Sequence, residues 1–523
     1  MNTTTSMDQM VKRVRRQTLG DLLKRTSARM PNKLAIVYED ERLTYEQLAK
    51  LVNQTAHTFT SRGMKKGDRV ALLSKNSLDF VVVQFALANI GAIMVPINYM
   101  LTASDIRYIL NHAKIETLVG STEYAPLLEE SSMEMTMANR YLIDTDSQRE
   151  GWGTLRDQRT SQPDTDSEVE LDDDDLAQVL YTSGTESRPK GVMLTHKSLI
   201  SEYVSTIIDG KMETRDVMIH ALPLYHCAQL HVFLGPSVYL GCTNIILSAP
   251  KPEAMFDAIE KDGATQLFCP PTVWIALLRH PSFDERDLSN LEKCYYGAAI
   301  MPREVLKELS TRLPNARFWN FYGQTEIAPL ATALQPEDQL RKLGSAGVAS
   351  LNVETRIVDD HNQEVPRGQM GEIVHRTPHA MKGYLDDPKK TAETFRGGWF
   401  HSGDLGVMDE EGYVTIVDRK KDMINTGGVN VSSREVEETL YELDGVSEVA
   451  VIGTPDPYWI EAVTALVVTK AGSELQEETV LKFCEERLSK FKIPKQIKIV
   501  PSLPKNPSGK ILKRSLREEY SQS

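Results

Sequence analysis

Cysteine is scarce: there are five in 523 residues (Cys227, Cys242, Cys269, Cys294, Cys484), an odd number with no Cys-x-x-Cys pair. That excludes a disulfide framework and a Cys/His metal site, and leaves buried free thiols in a reducing, cytoplasmic compartment as the expectation. No apolar run is long enough to cross a bilayer. The most apolar stretch, residues 80–96 (FVVVQFALANIGAIMVP), is interrupted by Gln84, Asn89 and Gly91; it reads as a buried helix running into a buried strand. A basic excess is also missing. The 60 Lys and Arg stand against 73 Asp and Glu, a net charge of −13, which argues against nucleic acid as a partner. Residues 1–18 (MNTTTSMDQMVKRVRRQT) are basic without an apolar signal core. Secretion is not expected; the segment reads as an exposed basic helix, compatible with a peripheral membrane contact.

What remains is 41% hydrophobic and 25% charged, the balance of a globular protein, in a chain too long for one core. Residues 33–120 alternate strand and helix signals: an apolar run at 34–37, a Thr44/Gln47 capping box, a strand at 69–73, a helix at 77–90 and a strand at 92–96. The alternation resumes at 177–181 and continues to about residue 345. Short strands at 354–358, 371–374 and 412–417 then indicate a small β subdomain. A tail follows with helices at 433–443 and 476–489 and strands at 447–453, 462–469 and 496–501. The expected fold is α/β: a large N-terminal domain of β/α subdomains plus the small β subdomain over 1–419, then a small α+β C-terminal domain over 420–523. Residues 157–175, which end in four aspartates, read as a solvated connector.

Residues 181–196 (YTSGTESRPKGVMLTH) gather five hydroxyls (Tyr181, Thr182, Ser183, Thr185, Ser187), Gly184, Gly191, Arg188 and Lys190. Small donors, open backbone N–H groups and two cations suit a polyphosphate. The commoner P-loop spacing is absent, because Pro189 stands where its second glycine belongs and Gly191 where its Ser/Thr belongs; at the late Pro-Ser-Gly-Lys, Pro504 replaces the first glycine. Further segments carry chemistry. Tyr322, Gly323, Thr325 and Glu326 in NFYGQTE offer a ring, an open backbone, a hydroxyl and a carboxylate, and hard oxygens beside phosphates suit Mg²⁺. Asp404 lies between Gly403 and Gly406 and can accept both hydroxyls of a ribose. Between Lys490 and Arg514 there are seven lysines, one arginine and no acid, which suits an anionic ligand.

The loop at 181–196 resembles the signature of the adenylate-forming enzymes, which include acyl-CoA synthetases, firefly luciferase and peptide-synthetase adenylation domains. It departs from the pattern at Glu186 and Ser187. YYGAA at 295–299, NFYGQTE at 320–326, GWFHSGDLG at 398–406, DRKKD at 418–422 with Gly427 and Gly428, and PKNPSGK at 504–510 resemble the family's other motifs in order, over about residues 30 to 515. The resemblance implies an ATP-dependent acyl-CoA synthetase that uses ATP, Mg²⁺ and coenzyme A. It implies phosphate contacts from Thr182, Ser183, Gly184, Thr185 and Lys190, and an adenine slot between Gly297, Ala298, Ala299 and the ring of Tyr322 beside Gly323. Thr325 would touch the α-phosphate, Asp404 and Arg419 would bind the ribose, and Glu326 with Thr185 would hold the metal. Lys510 would be the catalytic lysine, Lys421 the hinge of a mobile C-terminal domain, and Gly427 and Gly428 the thiol tunnel. His226, Gly297 and Gly323 would border the acyl substrate. A medium- or long-chain fatty acid is the expected acid, with an aromatic acid–CoA ligase, a carrier-protein acyl ligase, a luciferase-like oxygenase and a non-catalytic AMP or ATP sensor as alternatives. The sequence leaves the oligomeric state open, a homodimer included.

Overall fold

The computed structural model describes residues 7–167, 169–182, 189–299, 301–419, 422–426, 429–506 and 509–521. Among these the strands form sheets of nine, eight, five and four. The chain folds into a large N-terminal α/β body followed by a small α+β unit.

The nine-stranded sheet has a parallel centre, in which Leu34–Tyr38, Thr243–Ile246, Val217–His220, Gln266–Phe268, Lys293–Gly297 and Arg317–Gly323 lie side by side, with antiparallel strands at both edges. In the eight-stranded sheet Arg69–Leu73, Ile93–Pro96, Thr117–Ser121 and Asn139–Ile143 are parallel, and Leu176–Thr182 pairs antiparallel with Lys190–Thr195. Helices cover these sheets because the apolar runs between turns leave both faces in need of burial. The helix Leu78–Ile90 shows how sequence specifies this. Ser77 caps it by accepting the Phe80 N–H at 3.1 Å, Gly91 ends it at φ 69°, and every residue between except Asn89 is buried. The expected buried helix and following strand are present. So is the capping box in which Thr44 and Gln47 open the helix Tyr45–Ser61.

The small β subdomain is an antiparallel sheet of Glu354–Val358, Gly371–Arg376, Phe400–Met408 and Val414–Arg419. The C-terminal unit is built on Val446–Asp456 and Ile460–Thr469, packed by the helices Ser433–Tyr441 and Glu477–Arg487. All five cysteines are buried and free. No helix among the described residues is long and apolar enough to cross a membrane.

The acidic run is not merely solvated. Asp172 pairs with Lys12 at 3.3 Å, Asp173 accepts the Gln17 N–H at 2.7 Å, Asp174 pairs with Lys382 at 2.9 Å and Asp175 with Lys66 at 2.6 Å. Its partners are distant in sequence, so composition alone could not reveal them. The helix Met7–Arg15 is anchored through this contact, and its Met7, Met10, Val11 and Val14 are exposed.

Glu202, on the helix His196–Asp209, is fully buried; one carboxyl oxygen accepts from Thr206 at 2.8 Å and the other has no partner. Burial holds its proton well above the ordinary value of 4.5. The unfolded chain releases that proton near 4.5 while the native state keeps it, so this group's contribution is complete at low pH and is lost as pH rises, by about 1.4 kcal/mol per unit. Glu202→Gln keeps an acceptor for Thr206 without the titration. Denaturant midpoints should favour the variant by a margin that grows between about pH 5 and about pH 8; a constant difference would show that Glu202 does not titrate with unfolding.

Candidate active site

The cleft holding the sequence-predicted residues has a volume of about 1360 Å³ and lies between the carboxyl ends of the large sheets, the small β subdomain and the C-terminal unit. Thr182, Lys190, His226, Ala298, Tyr322, Gly323, Thr325, Glu326, Asp404, Arg419 and Lys510 all line it. Gly297 and Ala299 do not appear in its wall. Gly297 is buried where its strand meets Arg317–Gly323, and a Cβ there would lie 2.3 Å from the Phe321 carbonyl oxygen. Its glycine therefore permits strand packing, and Ala298, at φ 62°, turns the chain into the cleft. Ser183, Gly184, Thr185, Lys421, Gly427 and Gly428, with Glu186, Ser187 and Arg188, lie outside the described residues.

Thr182 ends one strand of a hairpin and faces Lys190 across it. Tyr181 departs from the expected set of phosphate-facing hydroxyls: its OH lies 2.6 Å from His112 Nδ1. Tyr181 and Thr182 both line the cleft, but the Tyr181 hydroxyl is engaged with His112.

Asp404 is a focus. Its Oδ2 accepts from the Tyr322 hydroxyl and from Gln324 Nε2, both at 2.7 Å, and Arg419 Nε lies 3.3 Å from its Oδ1. The Asp404 and Arg419 strands pair so that these two residues are opposite each other. A nearly buried carboxylate with a guanidinium beside it presents acceptor and donor together, which suits a pair of vicinal hydroxyls. At Gly323 a Cβ would lie 1.6 Å from the Pro329 oxygen, so only glycine allows the strand to bend here.

Glu326 accepts from the Tyr384 hydroxyl at 2.9 Å, and Lys190 Nζ sits 5.5 Å from the Tyr384 ring centroid. Tyr384 thus links the acid to the cation. Sequence reasoning passed over it, as it did Gln324; the strand Gly383–Tyr384 reaches the site by pairing with residues 192 and 193, and no local spacing signals that.

Lys510 enters from the C-terminal unit. Its loop docks where Thr272 Oγ1 donates to the Gly509 carbonyl at 2.6 Å. Burial, with the Lys510 ammonium adding to it, pushes the His226 imidazole down to about 4, so at neutral pH the ring is uncharged and Lys510 supplies the local positive charge. Beyond His226 the cleft turns apolar at Cys227, Ala228, Val232, Phe233, Phe268, Phe321 and Leu330. A π-helix at Ala228–Leu234 supplies several of these, and its His231 is fixed at 2.7 Å from both Tyr203 and Gln178. Phe233 and Phe268 stack with centroids 4.4 Å apart, and buried Tyr295 and Trp319 close the floor behind them. Among the described residues, no cation lines this end. Elsewhere Lys190, Lys390, Arg396, Arg419, Lys505 and Lys510 outnumber Glu326, Glu372, Glu393 and Asp404. In an acidic chain that concentrates positive charge where an anionic ligand would lie.

Asp404→Ala removes the acceptor on which three side chains converge. Calorimetric titration with AMP should show affinity weakened by roughly tenfold or more. Unchanged affinity would remove Asp404 from the nucleoside contact.

Residues 23–385 match the family described as AMP-binding enzyme, and residues 435–510 its C-terminal domain. The chain is 35% identical over 507 residues to a feruloyl-CoA synthase of Amycolatopsis sp, covering 97% of this chain and 100% of that protein. It is 34% identical to the long-chain-fatty-acid–CoA ligase FadD13 of Mycobacterium tuberculosis, covering 97% and 99%. Among solved structures it superimposes with a TM-score of 0.90 on the anthranilate CoA ligase AuaEII in complex with anthranoyl-AMP (26% identity; 96% and 97% covered). With ATP-bound MatB from Rhodopseudomonas palustris the TM-score is 0.88 (31% identity; 97% and 99% covered). Two domain matches in order, relatives aligned end to end and a cleft assembled from the expected motifs converge on one conclusion: the chain belongs to the AMP-binding enzyme family.

Proposed function

We propose that this enzyme is an AMP-forming acid–CoA ligase that activates an apolar monocarboxylic acid as its acyl-AMP and transfers the acyl group to coenzyme A. The observation that carries this reading is the junction at His226 and Lys510, where an apolar end meets the Asp404–Arg419 end of one cleft. In the first step a carboxylate oxygen attacks the α-phosphorus of ATP and the bond to pyrophosphate breaks. Both reactants are anions, so the work is positioning and neutralisation. Lys510 is suited to hold the carboxylate and α-phosphate together; neutral His226 can hydrogen-bond there without adding charge; Thr182 and Lys190 face the polyphosphate. In the second step the thiol attacks the acyl carbon, and AMP leaves with one of the acid's oxygens.

Mg²⁺, when bound, would offset phosphate charge. Glu326 fits it, because such an ion is commonly held by one or two carboxylates with substrate phosphates, and among the described residues there is no cluster of three His, Cys, Asp or Glu. Tyr384 holds the Glu326 carboxyl in orientation. Residues 1–419 would form one rigid body and 420–523 a second that turns about Lys421 between the steps, exposing a thiol path along Gly427 and Gly428.

The absence of a cation at the apolar end speaks against a second carboxylate on the acid. A medium- or long-chain fatty acid satisfies that wall. The stacked Phe233–Phe268 pair and the closed floor support a second reading, a compact aromatic acid, because a flat ring gains from offset stacking while a long chain needs an open end.

Pyrophosphate release with ATP and Mg²⁺ across acids from acetate to oleate, plus benzoate, coumarate and the dicarboxylic acid succinate, separates the two. We expect an optimum at medium chain length or at an aromatic acid, with oleate slower and thioester only when coenzyme A is present; preference for a dicarboxylic acid would contradict the reading. Lys510→Ala should lower pyrophosphate release by a factor of about a hundred or more, yet largely spare thioester formation from supplied acyl-AMP. Equal loss in both half-reactions would contradict a lysine that serves only the first.

A further inference from the structure

The helix Arg303–Arg312 begins directly after the segment at 297–299, and no side chain of its own N-cap, Pro302, satisfies its first turn. From the other unit the helix Ser433–Tyr441 packs against it and sets the Glu438 carboxylate beside Arg303 at that N-terminus. One turn earlier on the same helix, Arg434 Nη2 donates to the Gly344 carbonyl at 2.8 Å, and its Nε lies 4.0 Å from Glu438. Gly344 adopts φ 79°, and a Cβ there would stand 3.3 Å from Arg434 and 3.6 Å from Arg303. The remaining Arg434 nitrogen, Nη1, is buried without a protein partner, and Arg434 lines a cavity of about 20 Å³ shared with Arg303 and Asn320. Arg434 thus joins the C-terminal unit to the N-terminal body through a charge-assisted bond, with Glu438 beside the facing helix N-terminus, at a place remote from the Thr272–Gly509 contact in sequence.

We propose that Glu438 and Arg434 form an interdomain latch that holds the arrangement with Lys510 in the cleft, and that they are positioning residues of the adenylation step. The inference rests on the two-step reading above. Neither residue lines the cleft. A negative charge at a helix N-terminus is favourable, and a charge-assisted hydrogen bond is among the stronger polar contacts. Both contacts exist only while the helix Ser433–Tyr441 lies against the N-terminal body. They bias the equilibrium toward this arrangement and must break when the C-terminal unit turns. Because the helix Arg303–Arg312 follows the segment that turns into the cleft at Ala298 within a few residues, the latch also ties domain closure to that wall.

The test compares Glu438→Gln, Arg434→Ala and the conservative Arg434→Lys with the unaltered enzyme in two single-turnover assays. One follows pyrophosphate release from ATP and the best acid; the other follows thioester formation from supplied acyl-AMP and coenzyme A. We expect adenylation to fall roughly tenfold in Glu438→Gln and Arg434→Ala, thioester formation to be unchanged or faster, and Arg434→Lys to recover part of the loss. The second assay reports folding, since a misfolded variant would lose both. Equal loss in the two half-reactions, or none in either, would overturn the latch. If the unaltered enzyme releases no pyrophosphate with any acid, the functional reading fails instead.

Discussion

Under the proposed mechanism, the contact between Thr272 and Gly509 decides whether the cleft is a reaction site or only a nucleotide pocket. It fixes the loop that brings Lys510 beside His226. The fit is tight: Gly509 adopts φ 80°, and a Cβ would stand 2.6 Å from Thr272 Oγ1 and 3.0 Å from the Pro270 ring. A side chain there would have to displace the Thr272 hydroxyl and the rigid Pro270 ring, which costs free energy. Without this docking the N-terminal body keeps Asp404, Arg419, Tyr322 and Glu326, and so keeps its suitability for a nucleotide. It would lack the cation that lets two anions approach each other.

The rest of the architecture places opposite requirements at the two ends of one cavity. Toward Asp404 the strands end in polar side chains supported by one another, so that Tyr322, Gln324 and Arg419 are already arranged around a single carboxylate. Toward Phe233 a π-helix and a stacked aromatic pair exclude charge. The boundary between them is an uncharged histidine. Burial keeps it neutral, so the charge at the boundary comes from a residue on a separate unit; under the proposed mechanism, docking of that unit and charge neutralisation are one event.

Much of this was legible in the sequence, for a physical reason: the chemistry sits at strand ends, where glycine, hydroxyl and acid residues interrupt apolar runs. The strand Arg69–Leu73, the cap at Ser77, the capping box at Thr44 and the strand Glu354–Val358 follow from local rules. Long-range partnerships did not. Tyr384 reaches Glu326 through an antiparallel pairing with a strand almost two hundred residues earlier. The aspartates at 172–175 look like a solvated run because their cations come from residues 12, 66 and 382. Arg434 reaches the Gly344 carbonyl from the C-terminal unit, a pairing that no local pattern announces. The π-helix at Ala228–Leu234 was also hidden, since no spacing of residues in the sequence marks its wider turn.

The central claim is that a carboxylate oxygen becomes bonded to the α-phosphorus of ATP within this cleft. Following the oxygen tests it directly: the preferred acid, labelled with ¹⁸O in its carboxylate, is turned over with ATP and coenzyme A, and the AMP and pyrophosphate are examined by mass spectrometry. The account predicts AMP carrying one ¹⁸O and unlabelled pyrophosphate. Unlabelled AMP, or label in phosphate released with ADP, would contradict it.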